Sequence, residues 1–181
     1  MNLPNKLTMA RVIMIPFFVI FMLTGWGGEA SKWISLAIFI VASLTDLLDG
    51  HIARKHNLVT NFGKFMDPLA DKLLVSSALI CFVATGVMPA WVVIVIISRE
   101  FVISGFRLVA SDAGIVIAAS WWGKSKTIVQ MIMAIVLIFQ FPGTVMYWVG
   151  QVLIYLALIL TVVSLIDYLV KNWNVMQDGA M

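Results

Sequence analysis

Charge is scarce in this sequence. Only 12% of its 181 residues are Asp, Glu, Lys or Arg, where an ordinary soluble domain carries about 25%. Apolar residues reach 62%, against roughly 45–50% in such a domain. That imbalance excludes disorder and a fibrous protein. It also argues against a soluble globular enzyme, whose surface would have to be covered with apolar side chains. Cysteine is nearly absent: the single Cys81 sits in an apolar run, so no intramolecular disulfide and no disulfide scaffold is possible. Histidine is limited to His51 and His56, read as interface residues. There is no internal repeat, no low-complexity linker and no room for a separate soluble domain. Long apolar runs are present instead, and their natural solvent is lipid.

A membrane helix needs about 20 apolar residues, and the chain holds six such stretches with short loops. They are expected at about 6–25, 33–55, 63–85, 89–110, 121–141 and 145–170. Gly86, Pro89, Pro142 and Gly143 punctuate the connections. The first stretch has the basic flank of a signal peptide, but no clear small-x-small cleavage site follows. It is read as a retained helix. Pro16 within it is tolerable, because neighbouring helices re-satisfy a freed backbone group in a membrane bundle. The expected fold is therefore all-α: a polytopic membrane protein with six transmembrane helices, both termini cytoplasmic, and a single domain over residues 1–181.

Orientation follows from the cations. With the N-terminus inside, Lys6, Arg11, Arg54, Lys55, Lys64, Lys72, Arg107, Lys124, Lys126 and Lys171 fall on the cytoplasmic side, and Arg99 on the inner half of a span. Of the twelve basic residues only Lys32 falls outside, a strong positive-inside pattern. Trp26, Trp33, Trp91, Trp121 and Trp148 lie near span ends, as an aromatic belt requires.

Four carboxylates stand out, because a charge inside a membrane helix costs several kcal/mol. Asp46 and Asp49 are three apart on the second helix; Asp67 and Asp71 are four apart on the third. Each spacing puts a pair on one helix face, and the short 56–62 loop makes the helices antiparallel neighbours. Four like charges in low dielectric need cations. Oxygen ligands without His or Cys favour Mg²⁺ or Mn²⁺ over Zn²⁺. Two divalent cations on four Asp form the kind of site that handles phosphate esters. Gly50, Ala53 and Gly63 share these faces and leave room for a substrate, and Arg54, one turn beyond Gly50, suits a phosphate.

The complete pattern reads Asp46-x2-Asp49-Gly50-x2-Ala53-Arg54-x8-Gly63-x3-Asp67-x3-Asp71. It resembles the signature of the CDP-alcohol phosphotransferase family at every fixed position. The opening Leu3-Pro4-Asn5-Lys6-Leu7-Thr8-x-x-Arg11 is similar to that family's N-terminal segment. Ser98-Arg99-Glu100 and Gly123-Lys124-Ser125-Lys126-Thr127 resemble its bacterial branch that uses a glycerol phosphate acceptor. The resemblance implies transfer of a phosphatidyl group from CDP-diacylglycerol to sn-glycerol 3-phosphate, with release of CMP. It implies that Asp46, Asp49, Asp67 and Asp71 bind the metals, that Asp71 is also the general base, and that Gly50, Arg54 and Thr60 contact the CDP portion. It further implies a homodimer in the bacterial cytoplasmic membrane, among membrane lipids, with its site facing the cytoplasm; no nucleic-acid partner is expected.

An acceptor carrying a phosphate dianion calls for a cationic pocket, and Arg99, Arg107, Lys124 and Lys126 are its candidates. Arg99 is the sharpest, since an arginine well inside a span needs a polar surrounding. The competing reading is an ion pair with Glu100, disfavoured because adjacent helical residues point about 100° apart. Lys124 and Lys126 read equally as positive-inside anchors. Asn5, Thr8 and Arg11 are assigned to the CDP phosphates through the resemblance, although Thr8 could cap the first helix and Arg11 could be an anchor. Asp167 has no assigned role. Two alternatives stay open: the same family with serine, an inositol phosphate or phosphatidylglycerol as acceptor, or a divalent-cation transporter. The carboxylates sit at one end of the helices with none continuing outward, which counts against transport.

Overall fold

The computed structural model describes residues 2–55, 61–112, 114–115, 117, 120–140 and 143–173; within these, the side chains of 3–4, 47–55, 61–62, 64–65, 67–68 and 112 lie outside the description. The described residues form six helices: α1 (Leu3–Thr24), α2 (Ala30–Lys55), α3 (Asn61–Ala84), α4 (Ala90–Asp112), α5 (Trp121–Phe139) and α6 (Thr144–Lys171). The expected helices agree with these to within a few residues. Among the described residues, α1, α5 and α6 contain stretches long and apolar enough to cross a membrane. α4 is interrupted by Arg99, Glu100 and Arg107, and α2 carries Asp46, Asp49 and Arg54 in its second half.

α1 starts earlier than its apolar run. A proline in the first turn costs no hydrogen bond there, so the helix opens at Leu3 with Pro4 in that turn. Pro16 stays within the helix, which runs on to Thr24. Gly25 then takes a left-handed conformation (φ 63°), the usual helix stop. The Ser31 hydroxyl donates to the Phe21 carbonyl and fastens the start of α2 to the end of α1.

The chain divides into two compact units. In the first, Met1–Val87 with Ala134–Phe141, α1 packs along α2 and α3. The buried positions of α1 are Asn5, Thr8, Arg11, Ile15 and Phe18, a spacing of three and four that makes one face. One stripe therefore carries polar groups at its start and apolar groups further on. Phe18 meets Phe39 of α2 with ring centroids 5.9 Å apart. Trp33 of α2 stands edge-on to Phe139 of α5 at 4.4 Å.

In the second unit, Met88–Met133 with Pro142–Met181, α4 packs on α6. α6 buries Gly150, Ile154, Ala157, Thr161, Ser164 and Tyr168, a seam rich in small residues that lets two backbones approach. α4 buries Val92, Ile96, Arg99 and Ile103, so its arginine lies on the packed stripe. Large apolar side chains such as Ile94, Leu108, Val145 and Val152 are exposed, which suits lipid as the surrounding medium. Trp26, Trp33, Trp91, Trp121 and Trp148 are all exposed near helix ends, as the belt reading expects.

Candidate active site

In the first unit a single side chain joins three helices. Arg11 of α1 is completely buried. Its Nη1 donates to Asp46 Oδ1 of α2 at 2.9 Å and also to Asp71 Oδ1 of α3. A guanidinium taken out of water needs compensating charge, and two carboxylates supply it. Their side chains remain 32% and 42% exposed, so the carboxylates stay open to the surface while the arginine does not. Asp46 and Asp71 are the outermost members of the Asp46–Asp71 pattern, and they meet at one cation.

That arrangement fits a divalent metal site. The donors are hard oxygens, they come from two helices, and they already converge on one cation, the Arg11 guanidinium, which a metal would have to displace. Asp49 lies one turn along α2 from Asp46, and Asp67 one turn before Asp71 on α3. The side chains of Asp49 and Asp67 lie outside the described residues, as do those of Ala53 and Arg54. Gly50 falls in the same undescribed stretch, and Thr60 lies outside the description altogether. Gly63 is buried on α3. Asn5 and Thr8 are buried on the same stripe of α1 as Arg11. Thr8 cannot be the cap of the first helix, because α1 begins at Leu3 with Asn2 in the cap position.

The second unit holds a buried polar cluster. Arg99 of α4 is 9% exposed and Lys126 of α5 is 2% exposed. Both donate to one oxygen, Glu100 Oε1: Arg99 Nη1 at 3.0 Å and Lys126 Nζ. Arg99 Nε also donates to Ser164 Oγ of α6 at 3.2 Å, and Ser164 Oγ donates to the Thr161 carbonyl at 2.9 Å. The reading that disfavoured a direct Arg99–Glu100 pair is therefore corrected. Both side chains are long enough to bend back across the angle between neighbouring positions, and Lys126 draws the carboxylate to the same place.

Of the four acceptor candidates, Arg99 and Lys126 come together. Lys124 is exposed. Arg107 is exposed too, and lies over the Tyr168 ring at 5.8 Å from its centroid. Asp167 pairs with Lys171 one turn later at 2.6 Å, closing the end of α6. Sequence reasoning gave Ser164 no role, and Glu100 only that of a disfavoured ion-pair partner for Arg99. Ser164 could have been noticed as a polar residue repeating with Thr161 in an otherwise apolar run. Glu100 could have been noticed as the one carboxylate among several nearby cations.

A model of the CDP-alcohol phosphatidyltransferase family matches residues 1–163. The chain is 48% identical to the CDP-diacylglycerol--glycerol-3-phosphate 3-phosphatidyltransferase of Bacillus subtilis, with 98% of this chain and 98% of that protein covered. It is 42% identical to the protein of the same name from Haemophilus influenzae, covering 93% of this chain and 91% of the relative. It is 38% identical to a probable phosphatidylglycerophosphate synthase of Mycobacterium tuberculosis, covering 94% and 81%.

Proposed function

We propose, from the premise that the chain belongs to the CDP-alcohol phosphatidyltransferase family, that it transfers the phosphatidyl group of CDP-diacylglycerol to sn-glycerol 3-phosphate. The products are phosphatidylglycerophosphate and CMP. The observation that carries the chemistry is the meeting of Asp46 and Asp71 at Arg11. Two half-open carboxylates at a buried cation are suited to a pyrophosphate reaction. The full-length likeness to relatives named for glycerol 3-phosphate supports the choice of acceptor.

In this reading Asp46, Asp49, Asp67 and Asp71 hold two divalent cations, Mg²⁺ or Mn²⁺. Bound there, the cations supply charge neutralisation for the pyrophosphate and for the leaving CMP. Asp71 accepts the proton of the acceptor hydroxyl, because an unassisted alcohol is a poor nucleophile. The hydroxyl oxygen then bonds to the phosphorus that carries diacylglycerol, and the bond from that phosphorus to the CMP oxygen breaks. Arg11, Asn5, Thr8, Gly50, Ala53, Arg54, Thr60 and Gly63 form the CDP-diacylglycerol side. Arg99 and Lys126 bind the acceptor phosphate, with Arg107 and Lys124 adding positive charge.

The proposal includes the placement. Six spans put both termini and the carboxylate end in the cytoplasm, so the lipid tails stay in the bilayer while the polar groups react at its surface. Assembly as a homodimer belongs to the same reading. The test is purified protein with CDP-diacylglycerol, Mg²⁺ and separate acceptors. Glycerol 3-phosphate should support CMP release, while serine and inositol phosphate should not. Release with serine alone would overturn the acceptor assignment.

A further inference from the structure

The acceptor reading leaves Glu100 unexplained, although the cluster in the second unit is built around it. Arg99 and Lys126 come from different helices and are both buried. Two cations held close together in low dielectric repel one another, and each long side chain has many rotamers to lose when it is fixed. A single carboxylate oxygen answers both problems. Glu100 Oε1 accepts from Arg99 Nη1 at 3.0 Å and from Lys126 Nζ, while Ser164 Oγ takes Arg99 Nε from the other side at 3.2 Å. Two of the three guanidinium nitrogens are thereby committed. The third, Arg99 Nη2, faces Gly123 of α5, 3.5 Å from where a Cβ would stand. Gly123 is one turn before Lys126, on the same helix face. The same point at Gly123 is 3.6 Å from Ser120 Oγ, so Arg99 Nη2 ends beside a hydroxyl at the start of α5.

From this geometry we infer that Glu100 is a positioning residue for the acceptor: it fixes Arg99 and Lys126 as a two-pronged cationic fork for the acceptor's phosphate. The inference rests on the reading of Arg99 and Lys126 as acceptor ligands. Glu100 itself does not touch the acceptor. Its side chain is more exposed than those of the two cations, and its role is to hold donors in place before the ligand arrives, which lowers the cost of binding.

The test uses the full chain in detergent or lipid nanodiscs with Mg²⁺ and compares Glu100→Ala, Glu100→Gln, Arg99→Ala and Lys126→Ala with the unaltered protein. KM for glycerol 3-phosphate is measured at saturating CDP-diacylglycerol, and KM for CDP-diacylglycerol at saturating acceptor. Glu100→Ala should raise the acceptor KM about tenfold or more, the effect of losing one good charge-assisted contact, with kcat and the CDP-diacylglycerol KM within about twofold. Glu100→Gln keeps an oxygen acceptor for Arg99 and should fall between. If Glu100→Ala does not fold, the same split in Glu100→Gln carries the test. An unchanged acceptor KM in the Glu100 variants, with Arg99→Ala or Lys126→Ala raising it, overturns the positioning role and leaves the acceptor site standing. Unchanged acceptor KM in all four variants removes both. A parallel loss of kcat and of both KM values means Glu100 only supports the fold, which also overturns the inference.

Discussion

Arg11 belongs to α1, but Asp46 and Asp71, its partners among the described residues, belong to α2 and α3. Removing its side chain takes away the cation that these two carboxylates share. Arg11→Ala should destabilise the chelator-treated protein by on the order of 1–3 kcal/mol. That is below the roughly 3–5 kcal/mol of a fully buried pair, since both carboxylates are half open to solvent. Added Mg²⁺ should then raise the melting temperature more in Arg11→Ala than in the unaltered protein, because the metal no longer displaces a guanidinium. Equal Mg²⁺ shifts in the two proteins would separate Arg11 from the metal site. Asp71→Asn should lower turnover by about 10²-fold or more, the usual contribution of a general base, while the protein still inserts and keeps its helical circular dichroism. Turnover like that of the unaltered protein would remove Asp71 from the base role. At this scale the sequence is uneven. The Asp spacing is legible because i, i+3 and i, i+4 neighbours must share a helix face. The partners of Arg11 are not, because they lie 35 and 60 residues away, and no periodicity encodes which helices meet.

The elements were legible for a simpler reason. α1, α5 and α6 are each an apolar run bounded by glycine, proline or charge, and in lipid a backbone without water must close its own hydrogen bonds. Hydropathy alone puts the start of α1 near residue 6, whereas Pro4 in the first turn lets the helix open at Leu3, before the apolar run begins. The seam of α6 against α4 was not read at all. Its residues Gly150, Ala157, Thr161 and Ser164 look unremarkable in composition; their meaning is the close approach they permit. Ala157 is completely buried there. Ala157→Leu should therefore overpack the seam and cost about 1–3 kcal/mol, read as a lower melting temperature in detergent. The same change at exposed Val152, Val152→Leu, should leave it within a degree or two. Equal effects at the two sites would deny that this seam is packed.

For the whole molecule, the sequence carries the orientation more openly than the fold does. In the proposed topology Lys6 and Lys171 lie on one side of the membrane and Glu29 and Lys32 on the other. Cys81 is buried and can be replaced by alanine to give a background free of thiols. Single cysteines at positions 6 and 171 should then react with a membrane-impermeant maleimide only after cells are opened, and cysteines at 29 and 32 in intact cells. Labelling of position 6 or 171 in intact cells would reverse or break the six-span arrangement. The central claim is chemical, and one measurement addresses it most directly. Purified protein in nanodiscs is given CDP-diacylglycerol, Mg²⁺ and radiolabelled sn-glycerol 3-phosphate, and lipid-extractable label is followed together with free CMP. One equivalent of labelled phosphatidylglycerophosphate should form for each CMP, with both lost in chelator and in Asp71→Asn. CMP released without label entering lipid, or label entering lipid undiminished in Asp71→Asn, would contradict it.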